Sequence, residues 1–398
     1  MKRRNILTKI GASTALVPTT TAVTASNSDA PPIREQLART VAEARIRHVR
    51  RRDAFTQFDP NGIGNPELFY AVANGTYVPV AWVFPIWNGR SAVGHISIGA
   101  QTWMPPVIQY GTGLAPQHRL AETKDSETVA GLEYGEKPRF LYGNPMAFGV
   151  EAQSAGGLDD TEWKFVDLKR KFPIPRDRIS AYGADVRAAS RAETEWRRIQ
   201  VHVERGRTLS YGTSARSTGS ISGVPNWSNC GSSWDGCVPI AASMAIGYHE
   251  GVPSWNRCDL IHELADNMDT NSDGETWPWN ITDGIEEYDS SYDASLTEYG
   301  RRSEVMDQID SGAPCLVCYW GNMDASLASL PRTPTADTVK DQFVGHAETA
   351  TGYEADDNSW WNPTDPSVYV TTHDTYGGVN ELKLSTSSPA YFVTSIEP

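Results

Sequence analysis

The chain has 398 residues, of which 39% are hydrophobic and 10% aromatic, so it is long enough for two ordinary domains with sizeable cores. Its 35 basic and 49 acidic residues give a net charge of −14, which argues against nucleic acid or an anionic membrane as a partner. No apolar run is long enough to predict a membrane span. The 5 cysteines are an odd number, so a free nucleophilic thiol has to be considered before a complete disulfide framework.

The first 25 residues are typical of a targeting peptide. A basic start with the twin-arginine pair Arg3-Arg4 precedes a mildly apolar stretch, and Val23-Thr24-Ala25 supplies small residues for cleavage. Weak apolarity of this kind is typical of twin-arginine export of a folded protein. We therefore expect residues 1–25 to be a signal peptide and the mature protein to be secreted.

Residues 26–205 predict an α+β N-terminal domain. An amphipathic helix is expected from Arg34 to Phe55, and Asn88-Gly89 joins two β-branched and aromatic segments into a hairpin. The other predicted elements are strands at 77–87, 91–100, 106–110, 139–142 and 164–168 and a helix at 177–203. Residues 206–221 are mostly Gly, Ser, Thr and Arg, which predicts an exposed linker before a second domain at 222–398.

Cys237 is the candidate nucleophile. It follows Asp235-Gly236, and Pro239 lies in what would be the first helical turn. A helix that begins at Cys237 places the sulfur beside unpaired backbone N–H groups, which should lower the thiol pKa and favour the thiolate. The alternative is a buried, purely structural cysteine.

A thiolate nucleophile needs a base, and four histidines follow Cys237. His346 is preferred because it opens a short predicted strand that ends at Gly352-Tyr353, a rigid position facing a helix terminus. His249 lies on the same helix roughly 18 Å along the axis from Cys237, which is too far for proton transfer. His262 is in a helix-like surface segment, and His373 is the fourth candidate. A packed strand histidine remains the alternative for His346.

The imidazole also needs an orienting acceptor, and the oxyanion needs a donor. Asp374 follows a predicted strand and is the preferred acceptor, with Asn358 and Asn362 as rivals. Asn229, a short loop upstream of Cys237, carries a suitable amide for the oxyanion. Ordinary turn residues are the alternative for both positions.

These segments together resemble a known family. The order VPNWSN, GCVPIAASMAIGYHEG, GHAETATGYE and VYVTTHDTYGG resembles papain-like cysteine peptidases of the double-glycine leader peptidase type, with their secreted relatives, and is similar to streptopain-like peptidases. The resemblance covers residues 222–398. It implies an α+β, papain-like domain in which an N-terminal cysteine helix packs on an antiparallel sheet. It also implies that Cys237 is the nucleophile, His346 the base, Asp374 the orienting residue and Asn229 the oxyanion donor.

Two departures and one upstream likeness accompany the resemblance. Val238 stands where glycine commonly follows the cysteine, and Asn229 stands where glutamine is usual. Glu348 adds a charge two positions along the face of His346. The domain at 26–205 is similar to the pro-segments of streptopain-like enzymes, which implies a zymogen whose linker is cut during maturation.

Three other patterns carry weaker signals. Residues 269–274 imitate the start of a calcium loop, but Asn280 occupies the place of the bidentate glutamate, so a polar turn is favoured. Cys315 and Cys318 are three apart on a predicted strand, which directs them to opposite faces and argues against a metal knuckle. Cys230 and Cys258 are candidates for a disulfide.

The sequence therefore predicts a secreted cysteine peptidase that acts on peptides or proteins and requires no cofactor. Its oligomeric state and substrate preference are not readable from the residues. A catalytically silent binding module of the same fold, or a transglutaminase or amidase with the same triad, are the alternatives.

Overall fold

A computed structural model describes residues 33–73, 76–144, 147–154, 164–175, 186–209, 217–231, 236–272, 274–297, 302–319, 346–356, 367–384 and 391–398. The predicted signal peptide lies outside these residues. Among the described residues, no helix is long and apolar enough to cross a membrane. The mixture of helices and one large sheet confirms the predicted α+β class.

The helices are α1 Glu35–Val49, α2 Leu120–Lys124, α3 Val186–Glu204, α4 Cys237–Glu250, α5 Arg257–Asn267, α6 Pro278–Tyr288 and α7 Arg302–Ser311. The strands are β1 Glu67–Ala73, β2 Thr76–Asn88, β3 Ser91–Gly99, β4 Val107–Thr112, β5 Leu132–Glu133, β6 Phe140–Asn144, β7 Ala147–Ser154, β8 Lys164–Asp167, β9 Phe172–Pro175, β10 Ser217–Ser220, β11 Asp293–Thr297, β12 Cys315–Tyr319, β13 His346–Asp356, β14 Ser367–His373, β15 Val379–Leu384 and β16 Tyr391–Glu397.

The predicted N-terminal elements are confirmed where they are described, with shifts in their bounds. Residues 177–185 of the predicted helix at 177–203 lie outside the described residues. Strands β2 and β3 form the predicted hairpin, and its two-residue turn is Gly89-Arg90 because Asn88 still pairs with Ser91. Gly89 has φ +60°, a conformation that glycine adopts without a steric cost. Helix α1 ends at Val49, six residues before the predicted Phe55, and packs its apolar face on β2, β3 and β4.

We call the predicted domain at 26–205 the N-terminal half and the one at 222–398 the C-terminal half. Helix α4 lies at the centre of the C-terminal half. Every residue from Cys237 to Gly247 is buried, since α4 packs on α5, β12 and β13 and shares its apolar core with residues of α6 and β16. A helix that is apolar on all sides is stable only in such a position. It ends at Glu250, and Gly251, with a φ of +65°, forms the left-handed C-cap.

The two halves of the chain share one sheet. Its strand order is β11-β16-β12-β13-β14-β15-β4-β3-β2-β1-β6-β7-β8-β9, with β10 on β13 and β5 on β7. The halves join where β15 pairs antiparallel with β4, from Asn380 opposite Gly111 to Leu382 opposite Gln109. The N-terminal half therefore continues the sheet of the C-terminal half rather than standing apart from it.

A group of charged side chains reinforces this junction, and we call it the junction ion network. It consists of Arg45, His48 and Arg52 from the N-terminal half with Glu354 and Glu381 from the C-terminal half. His48 Nε2 lies 2.7 Å from Glu354 Oε1, and Arg52 lies 3.2 Å from Glu354 Oε2 and 2.6 Å from Glu381 Oε1. Arg45 is fully buried, lies 3.6 Å from Glu354 Oε2 and stacks over the Tyr369 ring at 4.0 Å.

The Gly/Ser/Thr segment is not wholly the exposed linker that its composition predicts. Residues Ser217–Ser220 form β10, whose backbone pairs with β13. This pairing needs no apolar side chains, and Gly219 lets the two backbones approach, since a Cβ there would lie 2.4 Å from the Tyr353 ring. Residues 210–216 of the predicted linker lie outside the described part.

The cysteines separate into one disulfide and three thiols. Cys230 and Cys258 form the disulfide that the sequence offered as a candidate pairing. Cys315 and Cys318 are buried thiols on opposite faces of β12, one in the core beside α7 and the other in the core around α4. Their predicted positions on opposite faces of one strand are therefore confirmed. The third free thiol is Cys237.

Candidate active site

The start of α4 fixes the position of Cys237. Gly236 precedes it with φ +92° and ψ 144°, which strongly disfavours any residue with a side chain. A Cβ at Gly236 would also lie 2.7 Å from the carbonyl oxygen of Gly274. The glycine therefore allows the chain to enter the helix against the segment at Gly274, and the helix start holds the Cys237 sulfur in the protein interior.

The predicted low pKa of Cys237 is wrong for the intact chain. Burial raises the pKa of the thiol above its ordinary value, and this effect outweighs Arg170 and the backbone N–H groups of Ala347, Cys237 and Val238, all of which favour the thiolate. The helix terminus acts in the expected direction, but the loss of hydration is larger. The intact chain therefore holds Cys237 mainly as a neutral thiol at neutral pH.

His346 lies at the first position of β13, as predicted, and lines the same pocket as Cys237. This pocket has about 40 Å³ of free space, enough for about one or two water molecules. Its wall consists of Arg170, Cys237, Val238, Gly274, Glu275, Thr276, Pro278, Ile281, Cys318, Tyr319, His346 and Phe392. The structure thus brings the candidate nucleophile and the candidate base to one small cavity.

The His346 imidazole is held in a neutral state. Burial lowers its pKa to about 3, and the cations Lys169 and Arg170 act in the same direction while Asp374 opposes them. The ring stacks on Tyr376 with centroids 5.8 Å apart. Within the described part of the chain, its buried Nε2 has no hydrogen-bond partner. The nearest carboxylate oxygen within ion-pair range is Glu348 Oε1, at 3.8 Å.

Asp374 directly follows β14, as predicted, but the hydrogen bonds it makes with described residues are to groups other than His346. Its Oδ1 accepts hydrogen bonds from the backbone N–H groups of Tyr376 and Gly378. Its Oδ2 accepts from Lys169 Nζ at 2.8 Å. Burial alone would raise the pKa of Asp374, but Lys169 and these N–H groups lower it to about 2. Asp374 is therefore a carboxylate paired with a lysine of the N-terminal half.

The lysine belongs to a turn that we call the hairpin tip, residues Leu168–Lys171 between β8 and β9. Asp167 shapes the tip, because its Oδ1 accepts from the N–H groups of Lys169 and Arg170, each at 2.8 Å. Lys171 closes the turn with φ +55°. The tip thus presents Lys169 to Asp374 and Arg170 to the wall of the pocket beside Cys237.

Sequence reasoning missed the hairpin tip. The only sequence signal is the basic run Lys169-Arg170-Lys171 after a predicted strand. Such a run is usually a solvated turn, and Lys169 is 205 residues away from Asp374. No local pattern connects the two positions.

The other predicted site residues lie as follows. Asn229 lies beside the disulfide cysteine Cys230, and the preceding Ser228 forms an isolated bridge with Tyr376, so this segment borders the Asp374 turn. His373 Nδ1 lies 2.9 Å from the carbonyl oxygen of Pro225, and His262 is exposed. Asn358 and Asn362 lie outside the described residues. The predicted polar turn near 269–274 is closed by hydrogen bonds between Asn271 and Glu275.

Residues 218–391 match the model of the Peptidase_C39 like family. The matched segment contains Asn229, Cys237, His346 and Asp374. A search of curated proteins found no match to the chain. The family match supports a C39-like cysteine peptidase for the C-terminal half, and with it a protein or peptide substrate.

Proposed function

We propose that the protein is a secreted, papain-like cysteine peptidase that is made as a zymogen. The observation that carries the proposal is the shared pocket of Cys237, at the start of a buried helix, and His346, at the start of a neighbouring strand. The family match over this region supports the same chemistry. Export through the twin-arginine peptide rests on the sequence, and the Cys230–Cys258 disulfide is compatible with an oxidising compartment.

The proposed reaction is peptide hydrolysis through a covalent intermediate. His346 takes the thiol proton of Cys237, and the sulfur attacks the carbonyl carbon of the scissile bond. The leaving amine takes the proton from His346, and water then hydrolyses the thioester to release the acid and the free thiol. Asn229 and the N–H of Cys237 are proposed to stabilise the oxyanion, and Asp374 to orient His346.

The proposal that the protein is a zymogen rests on the small amount of free space beside Cys237. A pocket of about 40 Å³ is far below the roughly 300–1,000 Å³ of typical ligand sites, and the hairpin tip supplies part of its wall. Among the described residues, the free space beside Cys237 is thus smaller than a peptide substrate needs, and Arg170 of the N-terminal half takes up part of its wall. A neutral thiol beside a neutral imidazole also lacks the ionic form that attacks.

Limited proteolysis within residues 206–221 tests the function. The cleaved wild-type protein should hydrolyse casein and react with iodoacetamide at Cys237, as located by peptide mass mapping. Cys237→Ser should abolish both. Cys315→Ser removes another buried thiol and should leave both unchanged.

Cleaved wild-type protein that neither hydrolyses casein nor labels at Cys237 would instead support the silent binding module. An amide product with an added amine, in place of a free acid, would support the transglutaminase alternative.

A further inference from the structure

We propose that the hairpin tip is a built-in inhibitor and that Lys169 is its decisive residue, because it holds the carboxylate that His346 requires. This inference rests on the proposed peptidase function and specifies how its site is kept inactive. The tip belongs to the N-terminal half, whereas every proposed catalytic residue belongs to the C-terminal half. The inhibitor and the site are therefore parts of one chain that a cut in the linker could separate.

The first argument is the hydrogen bonding of Asp374 and His346. Both oxygens of Asp374 have donors, Oδ1 from two backbone N–H groups and Oδ2 from Lys169. His346 Nε2 is buried and has no hydrogen bond among the described residues. Buried polar atoms are rarely left in this condition. Lys169 thus holds Oδ2 of Asp374, the carboxylate whose charge favours the protonated form of His346. Withdrawal of Lys169 would free Oδ2 to accept another hydrogen bond.

The second argument is charge. An attacking thiolate is stabilised by a protonated imidazole, and cations near His346 oppose that protonation. Lys169 and Arg170 both act on His346 in this direction. Lys169 also lies 5.3 Å from the centroid of the Tyr376 ring, on which His346 stacks. Withdrawal of Lys169 alone would remove the larger of these two charge effects on His346 and would leave Arg170, which favours the Cys237 thiolate, in place.

The third argument is the rigidity of the tip. Asp167 is 4% exposed and accepts from two N–H groups of the turn, and Lys171 N–H donates to the Asp167 carbonyl oxygen at 2.8 Å. The strands on either side pair with each other, and β8 also pairs with β7. Such a turn places Lys169 and Arg170 in one arrangement without further ordering. This is the property that a tightly bound inhibitor requires.

The test uses the intact, uncut chain. Lys169→Gln should raise the rate of iodoacetamide labelling at Cys237 by about tenfold or more, which corresponds to about 1.4 kcal/mol. Lys169→Arg keeps the positive charge, and its labelling rate at Cys237 should stay as low as that of wild type. The matched control is Lys171→Gln, in the same turn, whose backbone but not its ammonium group has described contacts. It should behave as wild type.

Thermal unfolding midpoints and near-UV circular dichroism separate release from unfolding. A variant that labels faster only because it has unfolded would show a lowered thermal midpoint and a weakened near-UV signal, and that result would count against the inference. The inference is overturned if intact Lys169→Gln stays as slow as wild type while cleaved wild type is active. If cleaved wild type is itself inactive and unlabelled, the proposed function fails first.

Discussion

Glu348 shows how one buried carboxylate can make stability depend on pH. Burial, with Asp374 acting in the same direction, raises its pKa to about 7 against the effects of Lys169, Thr372 and Asn380. A folded-state pKa above the usual 4.5 means that the folded chain keeps a proton that the unfolded chain has lost. Glu348 therefore contributes stability that is lost as pH rises from about 4.5 to 7.

Glu348→Gln cannot ionise, so the free energy of unfolding of wild type relative to Glu348→Gln should fall between pH 5 and pH 7. Urea denaturation at both pH values measures the difference. Glu67→Gln, at an exposed glutamate, is the control and should follow wild type. Equal pH dependence in Glu348→Gln and wild type would show that burial does not set this pKa.

At the residue level, the sequence predicted where Cys237 and His346 lie in their helix and strand, but it did not predict the protonation state of Cys237. Cys237 and His346 could be predicted because a glycine-preceded helix start and a short glycine-bounded strand are local patterns. The direction of the Cys237 pKa shift could not be predicted, because burial depends on the packing of residues far apart in the chain. Glu348 was singled out by its spacing from His346, and the two side chains do lie on one face of β13, 3.8 Å apart.

At the level of elements, the entry to α4 is the most constrained turn in the site. Gly236→Ala would adopt a strained backbone and collide with Gly274, at a cost of about 1–3 kcal/mol. It should also displace Cys237 and slow its labelling in the cleaved protein. The control is Gly251→Ala at the other end of α4, where a Cβ would meet no atom within 4 Å.

Gly251→Ala should cost about 1–2 kcal/mol for its left-handed conformation. Its labelling rate at Cys237 should be unchanged. Denaturant unfolding and labelling kinetics on both variants check the expectation. Equal labelling rates for Gly236→Ala and wild type would show that the glycine does not position the sulfur.

Elements with their own periodicity or turn chemistry were predictable, and elements that depend on a partner were not. The β2–β3 hairpin, α4 and the start of β13 follow from local residues. Strand β10 does not, because Ser-Thr-Gly-Ser contains no strand-forming pattern and is ordered by the backbone of β13. The hairpin tip could not be predicted for the same reason, because its proposed role depends on the contact between Lys169 and Asp374.

At the level of the whole molecule, the junction ion network should make the intact chain sensitive to acid. Burial alone would raise the pKa of Glu354, but Arg45, His48 and Arg52 lower it to about 2. A lowered folded-state pKa gives stability above about 4.5 that is lost as pH falls towards 2. Denaturation of wild type should therefore require less urea at pH 2.5 than at pH 5.

Glu354→Gln removes the ionisation and should show a smaller loss over this range. At pH 5 it should already be destabilised by about 3–5 kcal/mol, because Arg45 keeps a buried charge without its partner. Glu43→Gln breaks an exposed pair with Arg47 and should cost no more than about 0.5 kcal/mol. Similar losses in the two variants would contradict this account of the network.

The predicted division into two domains is the part that sequence could describe least. Composition marks where the chain changes at 206–221, but it contains no register between strands that are 270 residues apart. The pairing of Glu381 with Tyr110 is such a register, and only packing defines it.

This shared sheet has a consequence for maturation. If the N-terminal half dissociates, β15 loses its pairing with β4, and the backbone N–H and C=O groups of Asn380–Leu382 form an unpaired strand edge. Unpaired edges of this kind adhere to other extended chains. A C-terminal half without β4 would therefore be prone to self-association through β15.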